Sequence, residues 1–332
     1  MKHTIVYADP KVYAGWPANH GAWQWGDEFL VGFLRGTYKR KSMHNIAEPF
    51  EKVQARSLDG GLTWNVETPD VDFECRWKPD VAPSFVPDEN IFRMCGVYDH
   101  GGDDAYEGGA FYKSADRGKH WNGPWQFNGL EDRFDITNQI NTSRSRVKWG
   151  MFFLTAGQAN VWGTDYTFCA EYDGHKFNYL STVLEDNARA AMPAVTSVGE
   201  YIVAVMRRRK AGRRGGWIEA VRSSDDGLTW EKLGEVGDTG SSNGNPPAII
   251  TLSNGSLLCC YGNRDHGSIV FAISDDVGET WRRGIVREGD EAFKDIGYPQ
   301  LFLRQDGTPV CVYYWADRER PQQHIVATSV EA

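Results

Sequence analysis

The sequence predicts an all-β protein, a six-bladed β-propeller whose blades are four-stranded antiparallel sheets. Three observations predict this fold class: an octet that recurs along the chain, the regular spacing of its copies, and a composition typical of strands and tight turns. The 332 residues include 36 Gly, 13 Trp and 14 Tyr, which favour such structure. Because β-propellers of this length can close as one unit, we expect residues 1–332 to form a single domain.

The recurring octet has Ser at its first position, Asp at its third, Gly at its fifth and Trp at its eighth. Its copies are SLDGGLTW at 57–64, SADRGKHW at 114–121, SSDDGLTW at 223–230 and SDDVGETW at 274–281. The middle interval is about twice the other two, which predicts a fifth copy near residue 170. The segment EYDGHKF there keeps Asp173 and Gly174 but lacks the Ser and the Trp, as a degenerate copy would.

The residues of the octet are those of a tight turn. Asp can accept backbone N–H bonds, Gly can adopt a positive φ, and Trp can pack its ring against a sheet. Four distant copies cannot all face one substrate. We therefore interpret the aspartates as structural rather than catalytic.

Six apolar segments that end in polar residues divide the chain into six units. They are FLVGFLRG, IFRMCGVYD, MFFLTAG, YIVAVMRRR, SLLCCYGNR and PVCVYYW. In four of the units a shorter strand leads into the octet, so each unit is read as one blade of about four strands. The sixth unit has no octet, and we expect the N-terminal strand TIVYAD to complete its sheet and close the ring.

Composition limits the possible partners. The formal net charge of −9 argues against broad attraction to nucleic acid or to an anionic membrane. No apolar run approaches the roughly 18 residues of a spanning helix, and the start MKHTIVYADP does not resemble a signal peptide. We expect a cytoplasmic protein. The six cysteines show no CxxC spacing, which predicts buried reduced thiols, no metal site and no cofactor.

The octets resemble the Asp-boxes, or BNR repeats, of the sialidase superfamily, and the similarity in blade spacing covers nearly the whole chain. The resemblance implies a sialidase-like propeller that acts on carbohydrate. If the Asp-boxes join the third and fourth strands of a blade, they mark the back of the propeller. The starts of the first strands and the loops between second and third strands then form the front, where we expect the site.

Sialidases hold the substrate carboxylate with three arginines and use a Tyr nucleophile, a Glu that assists it and an Asp acid/base. By this resemblance Tyr298, in DIGYPQ, is similar to the nucleophile. Arg207, at the end of IVAVMR, resembles the second arginine, and Arg264 resembles the third. A guanidinium suits this role because it matches a carboxylate bidentately and is always charged.

Three positions depart from the sialidase pattern. The Arg-x-Pro motif of the first blade is replaced by Gly-Trp-Pro at 15–17. The segment AAMPA at 190–194, where the assisting Glu is expected, has no carboxylate. The loop expected to supply the acid/base Asp reads KSMHNIAEPFE, which offers His44 and Glu48 instead, and a His of near-neutral pKa suits proton transfer in general.

Further residues on the predicted front face could contact a sugar. The histidines and arginine could bind polar groups, the Trp could stack on a sugar ring, and the asparagines could bond hydroxyls; each could equally serve packing or capping. The remaining predicted substrate-binding residues are His20, Trp16, Asn243, Asn245, His266 and Arg146.

Together these features predict a glycoside hydrolase, a sialidase-like exo-glycosidase acting on a carboxylate-bearing sugar. Arg207 and Arg264 would hold the carboxylate, Tyr298 would act as nucleophile or charge stabiliser, and His44 or Glu48 would donate the proton. Two alternatives stay open. A uronate lyase could use His as base and Tyr as acid, and a non-catalytic glycan-binding propeller would need no assisting Glu.

Overall fold

The computed structural model describes residues 1–41, 44–69, 91–95, 110–133, 136–138, 150–157, 165–210, 212, 215–241 and 244–331. In the first half of the chain the strands are β1 (Lys2–Tyr7), β2 (Val12–Gly15), β3 (Ala22–Trp25), β4 (Glu28–Tyr38), β5 (Ile46–Ser57), β6 (Asn65–Glu67), β7 (Ile91–Cys95), β8 (Ala110–Ser114), β9 (Asn122–Gln126), β10 (Ile136–Asn138) and β11 (Met151–Ala156). The strands that follow are β12 (Tyr166–Tyr172), β13 (Phe177–Leu184), β14 (Arg189–Val198), β15 (Tyr201–Arg209), β16 (Gly216–Ser223), β17 (Glu231–Gly240), β18 (Ala248–Thr251), β19 (Leu257–Asn263), β20 (Ser268–Ser274), β21 (Arg282–Arg287), β22 (Gly297–Leu303), β23 (Pro309–Trp315) and β24 (His324–Ser329). A short helix, α1 (Pro17–His20), lies between β2 and β3.

These strands pair into six antiparallel sheets, the blades of a β-propeller. Blade one is β2-β4-β5-β6, with β3 also paired to β4, and blade two has β7-β8-β9 among the described residues. Blades three, four and five are β10-β11-β12-β13, β14-β15-β16-β17 and β18-β19-β20-β21. Blade six is β22-β23-β24-β1. The predicted all-β, six-bladed propeller is confirmed.

The N-terminal strand closes the ring as predicted. Strand β1 pairs antiparallel with β24, so the first segment of the chain forms the outermost strand of the last blade. At the inner side, β14 packs against β18, β18 packs against β22, and β22 packs against α1 of blade one. Apolar contacts join the blades; for example, the rings of Phe29 in blade one and Phe302 in blade six stack at 4.5 Å. Closure therefore leaves few free sheet edges.

The antiparallel order of the strands fixes two faces. The first strands begin, and the second strands end, on the face that we call the front. The segments between third and fourth strands lie on the opposite, back face. Three of the four Asp-boxes, and the degenerate copy at 171–177, join the third strand of a blade to its fourth: β5 to β6, β16 to β17, β20 to β21 and, for the degenerate copy, β12 to β13. The box at 114–121 joins β8 to β9, the last two strands that the structure describes in blade two. The sequence-based assignment of the back face is confirmed.

Each Asp-box is closed by its own Ser and Asp side chains. In the box at 223–230, the Ser223 hydroxyl donates to Asp225 Oδ1 over 2.8 Å and accepts the buried N–H of Gly227 over 2.9 Å. The other oxygen of Asp225 accepts the Thr229 hydroxyl at 2.6 Å. Gly227 has a φ of +84°, a conformation that favours glycine. The degenerate box keeps the Asp role, since Asp173 accepts the backbone N–H groups of 175 and 176.

The tryptophans of two Asp-boxes connect neighbouring blades. Trp121 in blade two donates its indole N–H to Gln54 of blade one at 3.2 Å. Trp230 in blade four donates in the same way to Ser181 of blade three at 3.0 Å. The indole N–H of a buried Trp usually needs such a partner. The boxes thus hold the blades together on the back face.

The cysteines that the structure describes fit the prediction of reduced, buried thiols. Cys169, Cys259, Cys260 and Cys311 are buried and free, while Cys75 and the side chain of Cys95 lie outside the described residues. Across the described part of the chain, no helix has the length and apolar character needed to cross a bilayer.

We expect Ser223→Ala to lower the free energy of unfolding by about 1–3 kcal/mol, because the buried N–H of Gly227 loses its acceptor. Urea denaturation measures this change. Ser224→Ala is the matched control, since Ser224 is exposed and its loss should change stability by less than about 0.5 kcal/mol. Equal stability of the two variants would contradict the structural role given to the box.

The Asp-boxes also predict a loss of stability in acid. Hydrogen bonds from Thr229, and then from Ser223, lower the pKa of Asp225 to about 2. A carboxyl whose folded pKa lies below its unfolded value stabilises the fold above the unfolded value, about 3.9 for Asp, and loses that effect as the pH falls through the folded value. We therefore expect unfolding measured from pH 4 down to pH 2 to depend less on pH in Asp225→Asn than in the wild type. Parallel pH profiles would show that Asp225 does not contribute.

Candidate functional site

Side chains from three blades meet near the axis on the front face. Tyr298 is the second residue of β22, the innermost strand of blade six. Arg207 lies near the front end of β15, and Arg264 directly follows β19. The structure therefore brings together the three residues that resemble the sialidase nucleophile and its arginines. We call Arg207, Arg264, Asp295, Tyr298 and Tyr314 the arginine–tyrosine cluster.

The backbone at Tyr298 is held by the side chain of Asn245. The amide oxygen of Asn245 accepts the N–H of Tyr298 at 2.8 Å, and its nitrogen donates to the carbonyl of Ile296 at 2.9 Å. Between them Gly297 has a φ of +107°, and a Cβ there would lie 2.4 Å from the Asn245 amide. Asn245 is fully buried. We had expected it to bond sugar hydroxyls, but its amide instead positions Tyr298.

Arg207 lies against the hydroxyl of Tyr298. Its Nη1 is 3.5 Å from that oxygen, and its buried Nε has no hydrogen-bond partner among the described residues. Burial, and secondarily the charge of Arg189, lower the pKa of Arg207 to about 10. The guanidinium is thus still charged at neutral pH. Its neighbour in β15, Arg208, projects to the other side of the strand and pairs with Asp186, as the alternation of side chains along a strand requires.

Arg264 lies on the other side of Tyr298. Its guanidinium is 5.7 Å from the centre of the Tyr298 ring. Nη2 donates to the Tyr314 hydroxyl at 2.8 Å and lies 3.6 Å from Asp295 Oδ1. Burial alone would lower the pKa of Arg264, but Tyr314 and Asp295 outweigh burial and raise it. Arg264 is therefore firmly protonated.

The carboxylate of Asp295 has three hydrogen-bond partners besides its ion pair with Arg264. It accepts the hydroxyls of Tyr314 at 2.7 Å and Tyr13 at 3.1 Å, and its Oδ1 lies 3.2 Å from Nδ1 of His44. Burial raises the pKa of Asp295, but the hydrogen bond with His44 and the charge of Arg264 outweigh burial and hold it below its ordinary value. The ionised carboxylate thus fixes both His44 and Arg264.

Burial raises the pKa of both tyrosines that bond Asp295 well above the ordinary value, and the negative charge of Asp295 raises it further. Tyr13 and Tyr314 therefore remain hydrogen-bond donors at neutral pH. His44 is part-exposed and meets the ring of Trp16 edge-on at 5.0 Å. One ring nitrogen of His44 is thus held by a carboxylate, which is an arrangement suited to proton transfer at the other.

Three residues near the axis have strained backbones. Trp16, Met192 and Tyr298 each have a φ between 50° and 57°, which is uncommon for residues other than glycine and concentrates at functional sites. Each directly precedes a proline. All three pack in one apolar cluster. Trp16 is fully buried against Tyr13, so it supports the site from behind and does not offer its face to a sugar, contrary to our expectation.

The remaining predicted residues that the structure describes are Glu48, His266 and His20. Glu48 is exposed on β5, and no hydrogen bond or ion pair among the described residues links its carboxylate to the cluster. His266 is exposed in the turn after β19, and its backbone N–H donates to Asn263. His20 is buried at the end of α1, with its carbonyl against Gly32. Arg146 and Asn243 lie outside the described residues.

Sequence reasoning missed Asp295, Tyr314 and Met192. Asp295 lies three residues before Tyr298 in a segment already assigned to the front face, and a carboxylate so close to the nucleophile candidate is a usable signal. Tyr314 lies in the apolar segment PVCVYYW and was not singled out. It occupies the front end of a second strand, as Arg207 does in another blade, and this shared position was a usable signal. Met192 directly precedes a proline near the start of an inner strand, and this position was a further signal that sequence reasoning could have used.

Within the described ranges, no group of three or more His, Cys, Asp or Glu side chains is arranged to hold a metal ion. The charged groups of the site instead form ion pairs and hydrogen bonds with one another. The chemistry that the described residues offer is anion binding, proton transfer at His44 and attack or proton transfer by the hydroxyl of Tyr298.

Four Asp-boxes on one face and a tyrosine between two arginines on the other define a propeller of the sialidase type. The chain belongs to the BNR repeat-like domain family, whose model matches residues 85–311. No curated protein matches the sequence.

Solved structures show the same fold at low sequence identity. A protein of unknown function from Dyadobacter fermentans is 17% identical, with a TM-score of 0.72 and coverage of 98% of this chain and 96% of that one. An alpha-L-arabinofuranosidase of Fusarium graminearum, solved with arabinobiose, is 15% identical with a TM-score of 0.61, covering 98% and 94%. Trypanosoma rangeli sialidase with the inhibitor DANA is 15% identical with a TM-score of 0.62; the match covers 95% of this chain and 55% of the sialidase, so the chain spans about half its length.

We expect Asn245→Ala to lower the free energy of unfolding by about 1–3 kcal/mol, because two buried backbone groups lose their partners. Urea denaturation measures the change, and Asn254→Ala, which alters an exposed turn amide that also bonds the backbone, is the matched control. If Asn245→Ala were no less stable than Asn254→Ala, the Asn245 amide would not be what holds the backbone at Tyr298.

Proposed function

We propose that the protein cleaves a glycosidic bond to a sugar that carries a carboxylate. The observation that supports this proposal is the position of the Tyr298 hydroxyl, beside the buried guanidinium of Arg207 and on a ring that also contacts Arg264. Two buried cations around one hydroxyl favour an anionic ligand, and guanidinium groups match carboxylates. The distant likeness to structures solved with an inhibitor or with arabinobiose supports a carbohydrate ligand.

In the hydrolytic reaction the leaving oxygen takes a proton from His44, water supplies the hydroxyl that ends on the sugar, and the remaining proton of the water returns to His44. Tyr298 acts as the nucleophile or stabilises the charge at the anomeric carbon. His44 suits the role of proton donor because Asp295 orients its ring through Nδ1. This role favours His44 over Glu48, which lies exposed on β5.

A second candidate reaction is elimination from a uronate. In this reaction a base removes the proton next to the carboxylate, the bond to the leaving oxygen breaks, a proton is added to that oxygen, and a double bond remains in the sugar. The observation that favours it is that no carboxylate among the described residues pairs with Tyr298. His44 as base, Tyr298 as acid and an arginine on the carboxylate would be sufficient.

One incubation distinguishes the reactions. The purified protein is given acidic methyl glycosides and uronate oligosaccharides, and the products are followed by reducing-end release and by the ultraviolet absorption of an unsaturated sugar. We expect reducing ends without new absorption, which means hydrolysis. New absorption means elimination, and binding without turnover means a glycan-binding propeller.

For the residues, we expect Tyr298→Phe and His44→Gln each to lower kcat/KM by about 100-fold or more, the usual contribution of a proton-transfer group. Two matched controls should retain activity. Tyr313→Phe removes a buried hydroxyl of the same blade that bonds Thr328, and His266→Gln removes an exposed histidine of the same face. Unchanged turnover in both Tyr298→Phe and Arg264→Ala would show that the site lies elsewhere.

A further inference from the structure

A basic segment lies on the front face directly after β4. Lys39, Arg40 and Lys41 follow the end of β4, the second strand of blade one, and all three side chains are exposed. Lys11, which directly precedes β2, is exposed beside them, and its carbonyl accepts the N–H of Tyr38 at 2.8 Å. We call Lys11, Lys39, Arg40 and Lys41 the basic rim.

The basic rim is positive on a protein that is acidic overall, with a formal net charge of −9. In the neighbouring chain segments, the carboxylates of Asp9 and Glu48 offset only two of its four positive charges. Glu51 is instead paired with Arg35, at 2.6 Å. A patch of one sign raises the local concentration of ligands of the opposite sign. The basic rim therefore favours an anionic ligand.

The backbone of the basic segment is tied to the residue that follows His44. Asn45 accepts the N–H of Lys39 through its carbonyl at 2.9 Å, and the N–H of Lys41 through its side-chain oxygen, also at 2.9 Å. Because an extended chain spans at most about 3.6 Å per residue, the Cα atoms of Lys41 and His44 are no more than roughly 11 Å apart. His44 in turn lies 3.2 Å from Asp295 of the arginine–tyrosine cluster. The basic rim thus adjoins the candidate site on its His44 side.

We propose that the basic rim binds the leaving group of the reaction, and that this leaving group is itself an acidic sugar. The proposal rests on the proposed function, in which His44 gives its proton to the oxygen of the leaving group. The sugar that carries this oxygen must lie on the His44 side of the site, where the basic rim lies. The substrate is then an oligosaccharide with adjacent acidic sugars, one at the arginine–tyrosine cluster and the next at the basic rim.

Four exposed cations would also attract other polyanions, and their location favours the sugar. Membrane surfaces and nucleic acids are held by charges that act on an extended anionic surface or backbone. The basic rim is instead confined to blade one and borders the candidate proton donor. A second acidic sugar is brought to this place by its bond to the first, and a second contact within one ligand adds affinity without a new association step.

Calorimetry with acidic oligosaccharides tests the proposal. The probes are the sodium salts of the trimers of galacturonate, mannuronate and sialate, the methyl glycoside of each monomer, and the neutral methyl ester of each trimer. At about 0.1 M salt we expect at least one trimer to bind about three- to tenfold more tightly than its monomer, since exposed ion pairs contribute modestly. At about 1 M salt, where the screening length is about 3 Å, this preference should disappear. The esters should show no preference that depends on salt.

Two variants with the same total charge show whether the basic rim is responsible. The basic-rim variant carries Lys39→Gln, Arg40→Gln and Lys41→Gln. Its matched control removes three exposed cations in or beside the back-face turns: Lys119→Gln, Lys176→Gln and Arg282→Gln. Each set of three substitutions changes the formal net charge from −9 to −12. We expect the basic-rim variant to lose the preference for the trimer over the monomer, and the control to keep it.

Several results would overturn the proposal: no trimer that binds more tightly than its monomer, a preference that persists at high salt, or a preference that both variants lose equally. Binding of phosphatidylserine vesicles or single-stranded DNA that depends on the basic rim, without a preference for any trimer, would also overturn it. Failure of the proposed function has a different signature. Binding of a trimer that depends on the basic rim, without cleavage of any probe, contradicts the function and supports the basic rim. Cleavage of a methyl glycoside, with no preference for trimers, does the reverse.

Discussion

The candidate site depends on one buried amide. Asn245, at the entry of blade five, bonds the backbone on both sides of Gly297 at the entry of blade six. This contact fixes where β22 begins, and so it fixes Tyr298. Because Asp295 lies just upstream, the same contact also places the carboxylate that meets Arg264 and His44. Tyr298, Asp295, Arg264 and His44, from three blades, are thus connected through a single side chain whose amide bonds only backbone groups among the described residues.

Charged side chains on the two faces of the propeller differ in how many hydrogen bonds they make. On the back, each Asp-box surrounds its carboxylate with hydroxyl and N–H donors, and the low pKa of Asp225 follows from those bonds. The negative charge of each of these carboxylates is stabilised by hydrogen bonds from its own turn. On the front, Arg207 is buried with little to bond. A buried charge with few partners among the described residues is costly, and this contrast supports the proposal of a site on the front face.

The fold could be predicted from sequence because its signals repeat. The six apolar segments and the spacing of the octets predicted the number of blades, and the place of the octets in each blade predicted the back face. The strand ends that bear Arg207, Arg264 and Tyr298 followed from that assignment. The partners of those residues could not be predicted in the same way. That Asp295 neutralises Arg264 and not Arg207, and that Asn245 faces inward, depends on how blades pack against one another. No local pattern records this.

Predictions about single loop residues were less successful for a related reason. His44 and Glu48 lie four residues apart in one segment, and both are plausible proton donors by residue type. The pairing of β5 leaves Glu48 exposed, while His44 reaches Asp295 of another blade. Stacking on a sugar and packing were both open for Trp16, and the structure shows its ring fully buried against Tyr13. In each case the direction in which the side chain points, and not its position along the chain, determined what it contacts.

The residues before proline at the inner-strand entries have a consequence for how such a protein can diversify. Trp16, Met192 and Tyr298 occupy the same unusual backbone conformation in different blades, yet their side chains have little chemistry in common. The fold therefore sets the backbone conformation at these three positions but accepts different residue types there. Of the three, only Tyr298 belongs to the arginine–tyrosine cluster. A different residue at that one position would change the chemistry offered beside Arg207 and Arg264 without a change in the backbone that holds it.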